Sequence, residues 1–593
     1  MGKNLRTEVI AEIANTHQGD PDYAYKLAKS CQQAGADAIK FQIYFAEELL
    51  TKTHPKFQHF KNQSFDKSVW KDLINSLKNS GTYLYADIFG YEAFNLAKRC
   101  GLDGFKIHSS DLNNYEILDN INNRSKKYFL SAGGSTIKEI HSSIKILNNK
   151  NIKPILMHGF QAYPTKVQDN NLNRILFFKD IFAKSCNLGF QDHTYGGSKM
   201  AFMVPRLANS LGASYIEKHV ILERSKNRVD YYSSLEPSEF KKFIELIKSK
   251  KKLVVNKKLK AKILGKKNFD FSEAEINYRN KFKKVWFAKS LISRNTTIKK
   301  NDLTMKRSKN MFINSVDYKD FLNKKTLKNV NSRIPINKSF VKNNVIALIV
   351  VRSASKRLKG KAFKKICGLM TIEHLILRVK KAKKINKIIL CTSKMREDKV
   401  FKNIAKKHKI DIFFGDNLNV LKRMNSAIMN KKCDLVLRIT GDDILIDPYY
   451  LDKNIEFHLK NNLEYSNNKK LPSGMEVEIF NKDLLFDIEK ISVDTKNTEY
   501  LTFYVEDNIQ QIQHATLNTG KDYRNIRMTL DNENDFKIIQ TFLKLMKKKN
   551  KLFNYNLNEV VKFYKKNNFL FQKNKLNKTK EIQVNTSFNW KKL

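Results

Sequence analysis

The first 222 residues switch repeatedly between two hydrophobic periods, and that alternation constrains the fold more than any other feature of the chain. Short apolar runs at 9–14, 38–43, 83–88, 104–107, 128–130, 154–157, 188–190 and 215–216 read as strands. Between them, 23–33, 69–79, 91–100, 137–147 and 199–211 space their apolar residues at i, i+3 and i+4, as amphipathic helices do. Gly35, Gly81, Gly101 and Gly212 stand where such helices stop. Strands that alternate with helices pair in parallel, and eight of them predict a closed (β/α)8 barrel.

The polar residues then fall into a pattern. Glu12, Lys40, Lys106, Ser131, His158, His193 and His219 each end a different strand, the end that carries the active site in such a barrel. His193 and His219 end neighbouring strands, so their imidazoles can share one divalent metal with positions left for water or substrate. The alternative is two ordinary polar barrel residues; convergence favours the metal. Lys40 and Lys106 point inward, where an unpaired ammonium is unfavourable. Either they pair internally with Glu12 or Asp37, or they cradle a carboxylate and a phosphate. Ser109, Ser110, Ser131 and the Gly133–Gly134 backbone at the same mouth favour the cradle. Glu217, two residues before His219, is expected to hold a neighbour rather than the metal.

A Lys-rich stretch at 248–269 reads as a basic helix or linker, and 289–341 as a small β-rich module. A second α/β pattern opens with an apolar strand at 345–351 and continues through strands at 387–391, 410–414 and 435–439, a doubly wound nucleotide-binding pattern. Its first strand runs into a basic loop from Arg352 to Lys361, suited to a triphosphate. Asp442 and Asp443 in RITGDD, with Asp531 and Asp535 in MTLDNEND, can hold Mg²⁺ against phosphates. The expected segments are therefore a barrel over 1–270, the module over 280–342, a nucleotidyltransferase unit over 343–570 and a mobile basic tail over 571–593.

Composition narrows the function classes. The net charge is +53, from 111 Lys and Arg against 58 Asp and Glu. The excess is mostly Lys, is spread along the chain, and comes without a helix-turn-helix, zinc-finger or RNP pattern, which argues against a nucleic-acid binder. It suits anionic small molecules instead. No apolar run is long enough to span a membrane, the start lacks the apolar core of a secretory signal, and Arg6 breaks the myristoylation pattern that Gly2 would open. The six cysteines form no C-x-x-C pair and read as reduced thiols, so the expected location is cytoplasmic.

AEIANTHQGD, GADAIKFQ, KIHSSDLNNYEIL, LSAGGSTIKEI, YPTKVQDNNL, QDHTYGG, GASYIEKHV and DYYSSLEPSEF occur in the order seen in the sialic acid synthase family, which the chain resembles over residues 1 to about 341. That resemblance implies condensation of phosphoenolpyruvate with an N-acetylated hexose to a nine-carbon keto sugar acid. It implies Glu12 as the catalytic glutamate and His193 and His219 as ligands of a divalent ion, usually Mn²⁺. Lys40, Lys106, Ser109 and Ser131 would hold phosphoenolpyruvate, with Gln42, Gly133, Tyr163 and Asn171 further substrate-side positions and Asp230 a catalytic one. The β-rich module resembles the antifreeze-like (SAF) domain of that family, whose arginine matches Arg307 and reaches the partner subunit's sugar, so a homodimer with exchanged contacts is implied. The chain departs from the family pattern at Ala14 (Gly is usual), Thr16 (Asn), Gly159 (Cys), Tyr231 (His) and Ser308 (Pro).

The second half resembles the spore-coat polysaccharide cytidylyltransferases, relatives of CMP-sialate synthetases, across about 345–565. The loop pattern, CTS, RITGDD, LPSGMEVEIF, NTEYLT and MTLDNEND match in order. By that resemblance Arg352, Ser355, Arg357 and Lys361 handle the phosphates of CTP, Asp442 and Asp531 bind Mg²⁺, and Glu476 and Glu478 line the sugar side. Val350, Val351 and Ile444 depart from the usual Gln, Ala and Pro. The two halves together imply consecutive steps: synthesis of a nonulosonate-type acid and its activation to a CMP-sugar. The enzyme alternative is a synthase whose C-terminal half serves another sugar or none. A basic interaction or nucleic-acid-binding protein on a retired scaffold predicts broken site residues, and these are intact.

Overall fold

The structure, a computed structural model, describes residues 7–159, 164–249, 251, 253–266, 268–308, 317–354, 357–495, 498–572 and 584–593. They form two compact units: one of 1–292, 299–322 and 330–336, the other of 293–298, 323–329 and 337–593.

The first unit is built on a closed barrel. Its strands are β1 (Glu8–Ala14), β2 (Ala38–Ile43), β3 (Tyr83–Ile88), β4 (Gly104–Ile107), β5 (Lys127–Ser131), β6 (Ile155–His158), β7 (Asn187–Asp192) and β8 (Tyr215–His219). They pair in parallel in chain order, and β8 returns to β1. All eight match the expected runs. The eighth extends to His219 because Glu217, Lys218 and His219 end the apolar run without ending the strand. Strand side chains alternate faces. An apolar interior layer of Ile10, Ala38, Tyr85 and Phe129 packs together with Tyr215. Stepping two residues along each of these strands gives Glu12, Lys40, Asp87, Ser131 and Glu217, so a polar layer sits directly on the apolar one.

Beyond the barrel, a helix at Lys257–Leu264 occupies the basic stretch. A further helix at Glu273–Phe282 lies in a part of the sequence assigned to no element. Its capping box joins Ser272 to Glu275. The β-rich module contributes β9 (Val285–Ala288) and β10 (Leu303–Lys306), paired antiparallel, and its other residues divide between the two units.

The second unit carries β11 (Val345–Val350), β12 (Lys387–Ser393), β13 (Asp411–Gly415), β14 (Leu435–Thr440), β15 (Tyr465–Asn467), β16 (Glu478–Asn481) and β17 (His514–Thr516) in one sheet ordered β13-β12-β11-β14-β16-β15-β17. The first four in that order are parallel, as expected of a doubly wound fold. Val345, Ala347 and Ile349 join the core on one face, while Ile346 and Leu348 join that on the other. Both faces of the central strand are therefore covered by helices.

The tail expectation needs correction. Residues 573–583 lie outside the described residues, but 584–593 dock on this unit. Val584 and Phe588 pack against its core, Phe588 bridges to Ser492, and the Asn589 amide donates to the Ile491 carbonyl at 2.6 Å. Two apolar side chains and main-chain pairing hold a segment whose charge suggested mobility.

Candidate active site

In the barrel, five ionisable side chains meet on the polar layer. Strand register sets Glu12 beside Lys40 and His219, and Asp87 beside Lys106. Glu12 forms an ion pair with Lys40, and Lys40 Nζ lies 3.3 Å from Asp87 and 3.5 Å from Glu217. Lys106 Nζ lies 2.9 Å from Glu217 and 3.4 Å from Asp87. All five are buried. Burial, together with the Lys106 charge, outweighs the carboxylates around Lys40 and lowers its pKa to about 8. At Lys106 the carboxylates of Glu217 and Asp87 win over burial and raise it. The expected internal pair is present with Glu12 but not with Asp37, which instead accepts from the Val9 amide and Lys248.

His193 and His219 face each other with ring centroids 5.2 Å apart and planes at 52°. Burial, first among the causes, pulls His193 down to about 3 and His219 well below its ordinary value, so both rings are neutral. Neutral imidazoles are the ligating form. Among the described residues no group of three or more His, Cys, Asp or Glu stands ready for a metal. The donor set fits a divalent ion held by two imidazoles, with the remaining positions open to water or substrate. Behind the two rings, Lys218 Nζ bonds Asp192 Oδ2 at 2.5 Å and the Thr194 carbonyl at 3.0 Å, joining the ends of β7 and β8. Asn15 Oδ1, His17 Nε2, Asp87 Oδ1 and Gln191 Oε1 are buried at these strand ends without a hydrogen-bond partner among the described residues. Such atoms mark a place where a ligand's polar groups are wanted.

The remaining expected residues divide. Ser131 is fully buried and accepts from Gln191 Nε2 at 2.8 Å, and Gly159 leaves the room that Gln191 fills: a Cβ there would meet Gln191 Cγ at 2.2 Å. Ser109 and Gly133 are buried in the turns after β4 and β5, and Gln42 sits beside Asp87 on β2. Asp230 adopts φ 61, and burial raises its carboxyl to about 6 against the Asn15 amide that donates to it. Asn171 accepts from the Lys266 amide at 3.1 Å and so tethers the segment after the Lys257–Leu264 helix. His158 donates its ring to the Asn170 carbonyl at 2.8 Å and is a structural node. Arg307 is buried against its own chain: its backbone bridges Leu50, and its guanidinium lies 5.7 Å from the Phe89 ring and 5.1 Å from the Phe282 ring. Tyr163 lies outside the described residues. Asp87 escaped the sequence reading because YLYADI looks wholly apolar apart from it; a lone carboxylate inside such a strand was the available signal.

In the second unit, Lys361 draws the two expected aspartates together. Its Nζ lies 2.7 Å from Asp442 and 3.3 Å from Asp531, and Arg357 reaches Asp531 at 2.8 Å. Asp535 instead caps its helix and pairs with Arg527. Burial first, then the Asp442 charge, raises Asp443 well above the carboxylate range. Arg352 is half exposed and pairs with Glu499 at 3.3 Å; Ser355 lies outside the described residues. Glu476 and Glu478 behave differently. Glu476 is half-buried with a carboxyl raised by burial to about 7, whereas Glu478 is taken up by Arg438, by Tyr465 at 2.6 Å and by Thr502 at 2.6 Å. Arg423, which the sequence reading passed over, is 2% exposed, and its Nε and Nη1 have no hydrogen-bond partner among the described residues.

Comparison with known proteins adds the following. The family profile described as the NeuB family matches residues 27–258, and that described as cytidylyltransferase matches 346–582. The pseudaminic acid synthase of Campylobacter jejuni (strain 81-176) is 30% identical over 255 residues, 40% of this chain and 72% of its own length. The N,N'-diacetyllegionaminic acid synthase of Campylobacter jejuni is 29% identical over 341 residues, 55% of this chain and 97% of its own. Among solved structures, the spore coat polysaccharide biosynthesis protein spsE of Bacillus subtilis aligns over 57% of this chain and 96% of its own, at 21% identity and a TM-score of 0.49.

Proposed function

The chain belongs to the NeuB family through its barrel and carries a cytidylyltransferase-family unit after it, and from that premise we propose a bifunctional enzyme of nonulosonic acid biosynthesis. The barrel condenses phosphoenolpyruvate with an N-acetylated hexose to a nine-carbon keto sugar acid, and the second unit activates that acid with CTP to a CMP-sugar. The observation that carries the reading is the meeting of two lysines and two neutral imidazoles, from four strands, at one end of the barrel. The relatives' names, synthases of pseudaminic and N,N'-diacetyllegionaminic acids, support the same product class.

A divalent ion held by His193 and His219 would supply Lewis acidity to the open-chain aldehyde. Everything else falls to the chain. Lys40 and Lys106 neutralise the carboxylate and phosphate of phosphoenolpyruvate, exchanging part of their pairing with Glu12, Asp87 and Glu217 for the substrate. Ser109, Ser131 and the Gly133 turn complete the cradle. C3 of the enol attacks the aldehyde carbon, water adds at C2, and phosphate leaves. Glu12, whose Oε1 is fixed by the Ala14 amide at 3.0 Å, moves the proton of the water or hydroxyl at Oε2. Asp230 and Gln42 face the sugar, and in a homodimer the Arg307 of one subunit would reach the sugar bound by the other.

In the second unit, Arg352, Arg357 and Lys361 receive the triphosphate, and Asp442 and Asp531 fit a Mg²⁺ ion once Lys361 moves to phosphate. Glu476 lies on the sugar side. No helix among the described residues is long and apolar enough to cross a membrane. We place both reactions in the cytoplasm, where phosphoenolpyruvate and CTP are made.

The test is phosphate release from phosphoenolpyruvate with Mn²⁺ across a panel of N-acetylated hexoses, with and without CTP. Release with one sugar, lost in His193→Ala, and pyrophosphate only after CTP is added, are the expected results. A folded, Mn²⁺-binding protein that releases no phosphate with any sugar overturns the reading.

A further inference from the structure

The helix Glu273–Phe282, outside the eight-fold repeat, touches both turns read above as the anion cradle. Glu275, Tyr278, Arg279 and Lys283 follow i, i+3, i+4, i+8 spacing and share one face. Tyr278 Oη lies 2.8 Å from Ser109 Oγ and 3.3 Å from His108 Nε2, in the turn after β4. Lys283 Nζ donates to the Ser109 carbonyl at 2.9 Å and to Ser135 Oγ at 3.3 Å. The Gly134 amide donates to Glu275 Oε1 at 3.3 Å, and Arg279 Nη1 donates to the Gly134 carbonyl at 2.9 Å, in the turn after β5.

The fit is close as well as polar. Gly134 has φ 63, and a Cβ there would crowd the ring at 3.0 Å from Tyr278 Cδ1. Glu275 is anchored in turn by Arg174 at 2.6 Å. Tyr278 is 5% exposed and Ser109 2%, so the hydroxyl pair is shielded from water. A serine hydroxyl can rotate freely; one paired at 2.8 Å with a buried phenol has its rotation restricted before any ligand arrives.

We propose that this helix face is the positioning wall of the anion cradle, with Tyr278 the positioning residue that fixes the Ser109 hydroxyl for a phosphorylated carboxylate. The proposal rests on the phosphoenolpyruvate reading above. The wall bridges the Ser109 and Gly133–Gly134 turns, which follow two paired neighbouring strands.

The experiment uses the full chain. Tyr278→Phe keeps the ring against Gly134 and removes only the hydroxyl. The expected result is a KM for phosphoenolpyruvate raised about fivefold, the scale of one net hydrogen bond, with kcat and the KM for the sugar unchanged and the protein still folding cooperatively. Ser109→Ala raises the same KM, and the double variant is no worse than Ser109→Ala alone, because both remove one coupled pair. An unchanged KM in Tyr278→Phe, or additive losses in the double variant, overturns the proposal while leaving the proposed reaction standing. A wild-type chain that binds neither phosphoenolpyruvate nor inorganic phosphate, measured by calorimetry, overturns both.

Discussion

The amide of Ala14 donates to Glu12 Oε1 at 3.0 Å, and the Ala14 backbone stands in the left-handed region at φ 47. The turn breaks the register of β1 on β2 between these two residues. An L-residue with a Cβ is strained in this region by about 1–2 kcal/mol. Ala14→Gly relieves the strain and gives back part of the gain as unfolded-state entropy. The expected outcome is a barrel more stable by about 1 kcal/mol, read from its urea midpoint; a lower midpoint would refute the strain.

Lys106 depends on Glu217 more than on any other group, with two contacts at 2.9 and 3.2 Å in a fully buried setting. Glu217→Gln leaves the ammonium with Asp87 alone. Removing one partner of a buried pair typically destabilises by about 3–5 kcal/mol. We expect about 3 kcal/mol here, since Asp87 remains, and expect Lys106→Met in the Glu217→Gln background to recover much of it in a denaturation series.

Acid should loosen the barrel through Glu139. Burial alone would raise its carboxyl, but Arg279 at 2.6 Å and Lys283 at 3.2 Å outweigh burial and hold it at about 2. A carboxylate depressed in the folded state stabilises above its unfolded pKa of about 4.3 and loses that contribution as pH falls through the folded value. Stability should therefore decline between about pH 4.5 and 2, by of order 3 kcal/mol from this group. Glu139→Gln should flatten that window in pH-dependent unfolding; an unchanged slope would discard the assignment.

Lys361 bridges Asp442 and Asp531 and so stands where a cation is expected between them. Lys361→Ala leaves two carboxylates without their shared counter-charge. Mg²⁺ binding in the absence of nucleotide should tighten severalfold, while CTP binding weakens by tenfold or more, the two measured by calorimetry. Tighter CTP binding in the variant would show that the lysine serves the carboxylates and not the phosphates.

Most of the fold was legible because the physics that builds it is local. Period-2 runs such as 38–43 and 83–88 are strands in the structure to the residue, and the glycines after the helices stand at their ends. The gathering of Glu12, Lys40, Lys106, His193 and His219 at one end of the barrel was legible for the same reason: inward side chains at strand ends converge whatever their separation in sequence. Asp87 stayed hidden because its neighbours are apolar. The difference between Glu476 and Glu478 stayed hidden because a carboxylate left open and one held by Arg438, Tyr465 and Thr502 look alike in sequence. The tail misled through composition, since Val584 and Phe588 decide its docking while its lysines dominate its count.

The wall formed by Glu273–Phe282 separates two kinds of completeness. A chain ending at Phe271 would keep all eight strands, close the barrel and count as a whole fold by its repeat. It would also lose the bonds that the helix makes to the Ser109 and Gly134 turns. The smallest piece of this unit that can fold is therefore shorter than the smallest piece that can grip an anion, and an excised barrel could look sound by circular dichroism while its mouth had gone slack.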